Sequence, residues 1–568
     1  MSLPSARTLL AFAFAAGLIF GRLGALPLVD PDEGRNAEVA REMGVSRSLI
    51  VPTYNGMPYL DKPALYFLFV AAAFAVFGHS ELAARLPSAL FAMALLVVVY
   101  RFARREYGER AAGIAVVIAA SMPLFLAFGR IVMFDMPLTF FVCAAIVAGY
   151  RAEELDGARR RRWYRMGAAL SAAATLVKGP VGFILPFLVL SSFALVERRK
   201  GVVRRLLAPS NLAIFLAVVL PWFVGLSLLR PDFPYYGLVK ESLERFTTPA
   251  YQRTGPVYYF VPVLLTACFA WSCLLPGGAV LAWRRRASFR RADRFLIVWA
   301  LVVTLFFSIS QSKLPGYVLP TALALAVLFA RLFDEALDRP RSGSARVIRW
   351  GMAVLLVASA TVGLAVFLEA RSPDPLISFF GEPGQDYLRA KAHLPELLPT
   401  FVLMAIASAV ALAIRKTRFS LGVFSIFPVC LLTVSFSGLE SYAFAASSVG
   451  LAERVRSIDA DARVGCLECY PTGLAFYLRE PLIVVTADGR ETTSNYIPFY
   501  LAHEAEWPCE AVPVSGLAGW LDGRKSETLL LARRDRWPAL WRLAEARGLD
   551  VVTVGPEWRG LLVPPPSS

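Results

Sequence analysis

The chain has 568 residues, 57% of them hydrophobic, with a formal net charge of +16 and a mean hydropathy of +0.55. Roughly the first 435 residues are nearly continuous apolar runs broken by short basic clusters, which excludes an ordinary soluble protein and predicts a polytopic α-helical membrane protein. The positive charge lies in short loops rather than along one helix or groove. It therefore predicts membrane orientation and membrane-lipid contacts, with no nucleic-acid partner.

The first apolar segment covers about residues 8–26 and has no convincing cleavage site, so we expect a retained helix. An acidic run follows, consisting of Asp30, Pro31, Asp32 and Glu33. Asp at the cap, Pro at the first helical position and Glu at the third are how a helix begins, and residues 34–45 are predicted to form a helix lying on the membrane surface. Capping explains Asp30 and Glu33 well but Asp32 less well, because the second helical position gains only a modest dipole benefit.

Residues 64–78 form a short apolar segment in the predicted external loop 27–82. Fifteen helical residues reach only about 22 Å, short of a hydrocarbon core of roughly 30 Å. A crossing there would also place the basic residues 101–110 outside and invert every later cluster. We therefore expect 64–78 to lie in the outer interface or to be partly inserted, and a spanning helix at about 83–103.

Basic clusters set the rest of the topology, because Lys and Arg favour the cytoplasmic side. They lie at residues 101–110, 159–165, 198–205, 284–291, 339–349 and 415–418. Between them the chain turns at points that should be external: near Asp135, near Lys178, in the loop 231–256, near Lys313 and in the loop 372–394. The count is about 13 spanning helices, with a cytoplasmic amino terminus and an external tail.

The tail, about residues 440–568, changes character and follows a membrane domain predicted at 1–439. Apolar strands at 482–486, 528–531 and 551–554 alternate with helical patterns such as 537–547, which predicts a small periplasmic α/β domain. Cys509 lies there with Cys466 and Cys469. One disulfide from Cys509 to either of the other two is expected if the tail is outside the cytoplasm, and a zinc site is the rival interpretation.

Cations at the external helix ends are the candidate functional residues. Three of them are lysines that begin the motifs Lys-Pro, Lys-Gly-Pro and Lys-Leu-Pro, namely Lys62, Lys178 and Lys313. Arg35 and Arg245 lie in the predicted external loops. With the acidic run they predict a pocket that holds an anion beside a carboxylate, although snorkelling towards lipid headgroups would explain each cation as well. Asp135, at the start of a spanning helix, is either a cap or a second carboxylate of that pocket.

An ordered set of motifs carries a family resemblance. The set consists of Pro31-Asp32-Glu33, Asp61-Lys62-Pro63, Gly129-Arg130 ahead of Asp135, Lys178-Gly179-Pro180, and residues 308–317, which read SISQSKLPGY and end at Tyr317. It resembles the polyprenyl-phosphate-dependent GT-C glycosyltransferases, specifically the lipid A aminoarabinose transferases. That resemblance implies a GT-C membrane fold in the bacterial inner membrane, an undecaprenyl-phosphate-linked sugar as donor and lipid A as acceptor.

The resemblance also implies roles for residues. Asp32 and Asp135 would be catalytic and Glu33 and Asp61 would bind substrate, whereas the donor phosphate would be bound by Lys62, Arg35, Arg245, Lys178, Lys313 and Tyr317. An ionised lipid A phosphate needs no base, so Asp32 would bind the sugar's ammonium group and support positive charge at the anomeric carbon, with inversion implied by the family.

Two other functions stay open. A protein hydroxyl acceptor, as in polyprenyl-phosphate-dependent protein mannosyltransferases, would need Asp32 as a base. A lipid-linked-sugar flippase would show charges midway across the bilayer, whereas these lie at helix ends. No metal is expected to be obligatory, although a divalent cation on Asp30 and Asp32 is an alternative.

Overall fold

The computed structural model describes residues 5–248, 254–371, 393–459 and 461–565. The chain divides into two compact units. The first holds Met1–Leu23, Arg85–Val224 and Leu238–Tyr442, and the second holds Gly24–Ala84, Gly225–Gly237 and Ala443–Ser568. The tail therefore groups with Gly24–Ala84 and Gly225–Gly237 in one unit, whereas the sequence assigned both of these stretches to the membrane domain 1–439. The predicted turn at 372–394 falls almost wholly outside the described residues.

Long apolar helices make up most of the chain as far as Ala445. In chain order the helices are Ala6–Phe20, Asp32–Ser46, Leu65–Phe77, Glu81–Tyr107, Glu109–Ala120, Pro123–Phe128, Asp135–Ala152, Gly157–Lys178, Val181–Val196, Val202–Leu206, Pro209–Leu229, Arg245–Thr247, Phe260–Ala267, Leu275–Arg285, Arg291–Ile309, Leu319–Asp338, Gly343–Arg371, Leu398–Ile414, Thr417–Thr433 and Phe436–Ala445, with a π-helix at Tyr235–Glu244. Pro at the first or second position of several of these helices fits their starts, since its missing N–H would have no intrahelical partner.

Among the described residues, seven helices are long and apolar enough to cross a membrane, and the number is nine if each of two bent pairs is one span. The bent pairs are Val257–Ala267 with Trp271–Ser288, at 110°, and Thr417–Thr433 with Phe436–Ala445, at 51°. Leu65–Phe77 is a separate helix of 13 residues, close to the predicted interfacial segment 64–78. The protein is thus a multi-pass membrane protein.

Ion pairs connect basic helix ends within the first unit. Glu154 forms ion pairs with Arg105 and Arg291, with nitrogen–oxygen distances of 2.6 and 3.3 Å, and Glu153 forms one with Arg205 at 2.9 Å. Further pairs of the same kind join Arg294 to Glu197, Arg110 to Asp334 and Arg331 to Asp293. Clusters at 101–110, 198–205 and 284–291 therefore lie at one end of this helix bundle, as the charge pattern predicts.

The second unit begins with the helix Asp32–Ser46, which contacts the helix Leu65–Phe77. Contrary to the expected surface helix, most of its side chains are buried. Arg41 and Glu38 are buried together because they form a two-point ion pair, with nitrogen–oxygen distances of 2.7 and 2.6 Å. An Asn55-Gly56 turn, in which both residues have positive φ, joins the short strands β1 Thr53–Tyr54 and β2 Met57–Pro58.

A mixed six-stranded sheet forms the core of the tail, in the order β5-β4-β3-β6-β8-β7. Its strands are β3 Arg463–Leu467, β4 Ile483–Thr486, β5 Ala511–Pro513, β6 Thr528–Arg533, β7 Val551–Thr553 and β8 Trp558–Val563. β5, β4, β3 and β6 are parallel, whereas β8 and β7 are antiparallel to their neighbours. The tail helices are Val449–Ile458, Leu474–Leu478, Tyr496–His503, Leu517–Gly523 and Trp537–Arg547.

All seven cysteines are free thiols. The expected disulfide from Cys509 is not formed, because Cys466 and Cys469 are buried around the end of β3 whereas Cys509 is exposed.

Candidate functional site

Asp32 begins the helix Asp32–Ser46, where a carboxylate is favoured by the amino-terminal helix dipole. Its side chain is 45% exposed, and its Oδ1 accepts a hydrogen bond from Arg35 Nη2 at 2.5 Å. Arg35, one helical turn later, is buried. Its Nη1 donates to the backbone oxygen of Thr493 at 3.0 Å and to Thr493 Oγ1 at 2.7 Å. Arg35, the predicted phosphate ligand, thus contacts both Asp32 and the tail residue Thr493.

Asp30 is not the helix cap, because that position is taken by Pro31. Its half-buried carboxylate instead accepts hydrogen bonds from Ser448 Oγ and from Thr472 Oγ1, the latter at 3.0 Å. Burial raises the pKa of Asp30 to about 6. With both oxygens engaged by hydroxyl donors, Asp30 is an anchor of the acidic run to the tail rather than an open metal ligand.

Glu33 and Asp61, the predicted substrate-binding acids, are both buried. Glu33 Oε2 accepts from the backbone nitrogen of Val29 at 3.1 Å, which closes the start of the helix. Asp61 accepts four hydrogen bonds, from Tyr236 Oη at 2.7 Å, Ser494 Oγ at 2.9 Å and the backbone nitrogens of Asn495 and Tyr496 at 2.9 and 2.8 Å. Four donors use the acceptor capacity of a carboxylate, so Asp61 organises the loops rather than offering itself to a sugar.

Lys62, next to Asp61, is half-buried, and its Nζ donates to the backbone oxygen of Asp61 at 2.5 Å. The Asp61 network fixes the backbone that carries this ammonium group. The hydrogen bonds of Asp61 therefore fix the position of Lys62 indirectly, through the backbone. Phosphate binding by Lys62 stays a prediction.

In the first unit, Asp135 and Lys178 form a buried ion pair, with Lys178 Nζ 2.8 Å from Asp135 Oδ1. Asp135 is the first residue of its helix and Lys178 the last residue of another, so the two helix dipoles favour both charges. The Lys178 ammonium group lies 5.1 Å from the ring centroid of Tyr317. A side chain on Gly316 would place its Cβ 2.6 Å from Asp135 Oδ1, so the glycine makes room for the carboxylate. Three predicted residues thus form one cluster.

Lys313 and Arg245 also belong to the first unit. Lys313 is 6% exposed, and its Nζ donates to the backbone oxygen of Ser310 at 2.5 Å. Arg245 forms an ion pair with Glu241, one helical turn earlier at the end of the π-helix. Snorkelling does not explain Lys313, because its ammonium group turns back onto its own loop.

Sequence patterns missed the tail residues that contact the acidic run, above all Thr493, Ser494 and Thr472. Ser and Thr are ordinary in loops, and no spacing relates them to residues more than four hundred positions earlier. Within the described ranges, no group of three or more His, Cys, Asp or Glu residues could hold a metal ion.

Comparisons with known proteins agree with this architecture. Residues 61–224 match the family described as dolichyl-phosphate-mannose-protein mannosyltransferase. The sequence is 30% identical to undecaprenyl phosphate-alpha-4-amino-4-deoxy-L-arabinose arabinosyl transferase 2 of Proteus mirabilis over 370 residues, which are 64% of this chain and 66% of that protein. A transferase of the same description from Serratia proteamaculans is 31% identical over 59% of this chain and 60% of its own length. The aligned region therefore spans just under two thirds of these relatives.

Solved structures extend the similarity to nearly the whole chain. ArnT from Cupriavidus metallidurans bound to undecaprenyl phosphate superimposes with a TM-score of 0.81 and 28% identity, covering 98% of this chain and 97% of that one. Its apo state gives a TM-score of 0.79 with 29% identity. This similarity identifies the multi-pass helical architecture as the fold of a membrane-embedded glycosyltransferase. The chain is thus similar to GT-C polyprenyl-phosphate glycosyltransferases, and among them to the aminoarabinose transferases.

Proposed function

We propose that the protein transfers 4-amino-4-deoxy-L-arabinose from undecaprenyl phosphate to a phosphate of lipid A, at the periplasmic face of the bacterial inner membrane. The observation that carries the proposal is the similarity, over 98% of the chain, to an ArnT structure that binds undecaprenyl phosphate. The names of the curated relatives supply the sugar.

The chemistry assigns a role to each kind of charged group. The glycosidic bond breaks towards a lipid phosphate, and cations stabilise the charge that remains there. We assign this role to Lys178, which pairs with Asp135 and lies near Tyr317, and we assign Lys62 and Lys313 as further donors to phosphate. Asp32 is the partly exposed acid of the acidic run, so we assign it to the ammonium group of the sugar and to the positive charge that develops at the anomeric carbon.

A lipid A phosphate is already ionised and attacks without a base, so direct displacement with inversion needs no further proton acceptor. We also propose that no metal is obligatory, because the lysines supply the positive charge that a metal would bring. Asp30 supports this assignment, since its oxygens already accept from Ser448 and Thr472.

The proposed topology has about 13 spans, a cytoplasmic amino terminus and a periplasmic tail. Besides the seven long helices and two bent pairs, it counts as spans Ala6–Phe20, the pair Glu109–Ala120 and Pro123–Phe128, Gly157–Lys178 and Val181–Val196. It leaves out Leu65–Phe77, whose 13 residues reach only about 20 Å.

Reconstitution of the full chain with defined donors and acceptors tests the proposal. Wild-type protein should transfer the aminosugar from undecaprenyl phosphate to lipid A, with and without a chelator. Asp32→Asn should lower kcat by about a hundredfold or more, and Lys178→Met should do the same. Arg490→Gln is the matched control, because Arg490 is an arginine of the tail whose side chain is 82% exposed, and this variant should leave kcat unchanged.

Transfer to a peptide hydroxyl with none to lipid A would contradict the proposal. Loss of activity in chelator, restored by one cation, would reject the metal-free chemistry alone.

A further inference from the structure

The Asp32 carboxylate depends on one buried arginine for its position. Asp32 is 45% exposed, whereas the side chain of its partner Arg35 is only 10% exposed. The two lie three residues apart on the same helix, so Arg35 reaches back to the carboxylate from one turn later. Whatever fixes the Arg35 guanidinium therefore also fixes the carboxylate.

Thr493, in the tail, holds the other arm of that guanidinium. Arg35 Nη2 donates to Asp32, while Arg35 Nη1 donates to both oxygens of Thr493, at 2.7 and 3.0 Å. A guanidinium is planar, so fixing Nη1 fixes the direction in which Nη2 points. Thr493 thereby sets the rotation of the group that orients Asp32.

The backbone of Thr493 is unusual in a way that fits this role. Its φ is +59°, in the left-handed region that β-branched residues rarely adopt. Glycine would occupy this position at lower cost, yet a threonine stands there with its hydroxyl on Arg35. Such outliers persist where the surrounding structure or a function requires the side chain.

The residues after Thr493 hold the same segment against the first external loop. Ser494 Oγ and the backbone nitrogens of Asn495 and Tyr496 all donate to Asp61. Thr493 is thus presented to Arg35 by a segment that is pinned on its carboxyl-terminal side.

We infer that Thr493 is a positioning residue of the transferase: acting through Arg35, it orients the Asp32 carboxylate, so the tail completes the geometry of the candidate catalytic group. This inference rests on the proposed function, because it assumes that Asp32 acts on the sugar. Thr493 itself touches neither donor nor acceptor in this scheme.

The test uses the full-length protein with the aminoarabinose donor and lipid A. Thr493→Gly removes the hydroxyl and relieves the positive φ, so its melting temperature should equal or exceed that of the wild type while kcat falls by about tenfold or more. KM should stay within about twofold. Thr493→Ser keeps the hydroxyl and should retain most of kcat, whereas Thr493→Val keeps the branched shape and should lose it.

Arg479→Gly is the matched control, because Arg479 is an exposed residue of the same unit with φ +65°. It should gain the same backbone relief without any loss of kcat. In an Arg35→Lys background, Thr493→Gly should cause no further loss, since a lysine lacks the fork that Thr493 orients.

Unchanged kcat in Thr493→Gly, with the wild type active, would overturn the inference and leave the proposed function standing. Losses that multiply in the Arg35→Lys background, or a joint fall of melting temperature and kcat in Thr493→Ser, would reduce Thr493 to a structural residue and reject the inference. A wild type that transfers no aminosugar would reject the proposed function, and the inference with it.

Discussion

Carboxylates of the same type serve different purposes in this protein, and burial separates them. Glu33 and Asp61 are buried and accept hydrogen bonds from the chain itself, while Asp32 keeps nearly half of its side chain open. A buried carboxylate with its acceptors occupied gains nothing from a ligand, whereas an open one beside an arginine can bind a cation. Position in the motif does not distinguish these acids, but their partners do.

The Asp135–Lys178 pair is the residue-scale feature with the clearest energetic consequence. Both side chains are buried, so removal of either charge leaves the other uncompensated. Lys178→Met should therefore lower the free energy of unfolding by about 3 kcal/mol, and Asp135→Asn by a similar amount. The double variant, which removes both charges, should recover most of that stability, because no unpaired charge remains.

Thermal unfolding in detergent, together with the transfer assay, checks this prediction. Recovery of stability without recovery of kcat would separate the functional role of the pair from its structural role. Full recovery of kcat in the double variant would contradict phosphate binding by Lys178.

At the scale of elements, sequence patterns predicted those features that depend on local chemistry. The strands β4, β6 and β7 and the helix Trp537–Arg547 lie within a few residues of their predicted bounds, because alternation and helical periodicity are local signals. The position of the helix Asp32–Ser46 in the chain was predicted, but the burial of its side chains was not. Its polar residues look exposed by pattern, but their pairing makes burial possible: Arg41 pairs with Glu38, and Arg35 donates to Asp32 and Thr493.

Candidate-site residues follow the same division. The cluster of Asp135, Lys178 and Tyr317 could be predicted from motifs at helix ends. The tail partners could not, since Thr493 and Thr472 meet the acidic run only through the folded chain. The dipeptide Asn55-Gly56 is typical of a tight hairpin turn and would have indicated the hairpin. In that turn Asn55 Nδ2 donates to the backbone oxygen of Leu482 at 2.8 Å and Asn55 Oδ1 accepts from the Leu482 nitrogen at 2.7 Å.

Close helix packing gives a prediction at this scale. The helices Gly157–Lys178 and Val181–Val196 form a hairpin in which a Cβ on Gly182 would lie 2.7 Å from Ala174 Cβ. Gly182→Ala should therefore destabilise the protein by about 1–3 kcal/mol, because neither backbone can move away freely. Gly422→Ala is the control: Gly422 lies in the helix Thr417–Thr433 with nothing within 4 Å of its would-be Cβ. That change should be neutral or stabilising by up to about 1 kcal/mol. Equal melting temperatures for the two variants would refute the close-packing argument.

At the scale of the whole molecule, basic clusters of the first unit collect at helix ends, where acidic residues pair with them. Arg105 and Arg291, from two separate basic clusters, both pair with Glu154, while Glu153 pairs with Arg205 and Asp293 pairs with Arg331. The positive charge of these helix ends is therefore partly neutralised where it accumulates. The second unit is discontinuous in sequence, since it draws on three stretches of chain. A domain boundary drawn from composition alone cannot capture such a unit, because composition is read along the chain.

The proposed orientation can be tested by labelling single cysteines in intact cells with a membrane-impermeant maleimide. Cys509→Ser is a suitable background, because Cys509 is exposed and the other six cysteines are buried. Ser80→Cys and Ser515→Cys should react from the periplasm, whereas Ala158→Cys and Ala287→Cys should react only after the membrane is permeabilised. Ser80 is the decisive position, since it follows Leu65–Phe77 directly. If that helix crossed the bilayer, the introduced thiol of the Ser80→Cys variant would be protected in intact cells. The basic residues 101–110 would then lie outside, which the positive-inside tendency opposes.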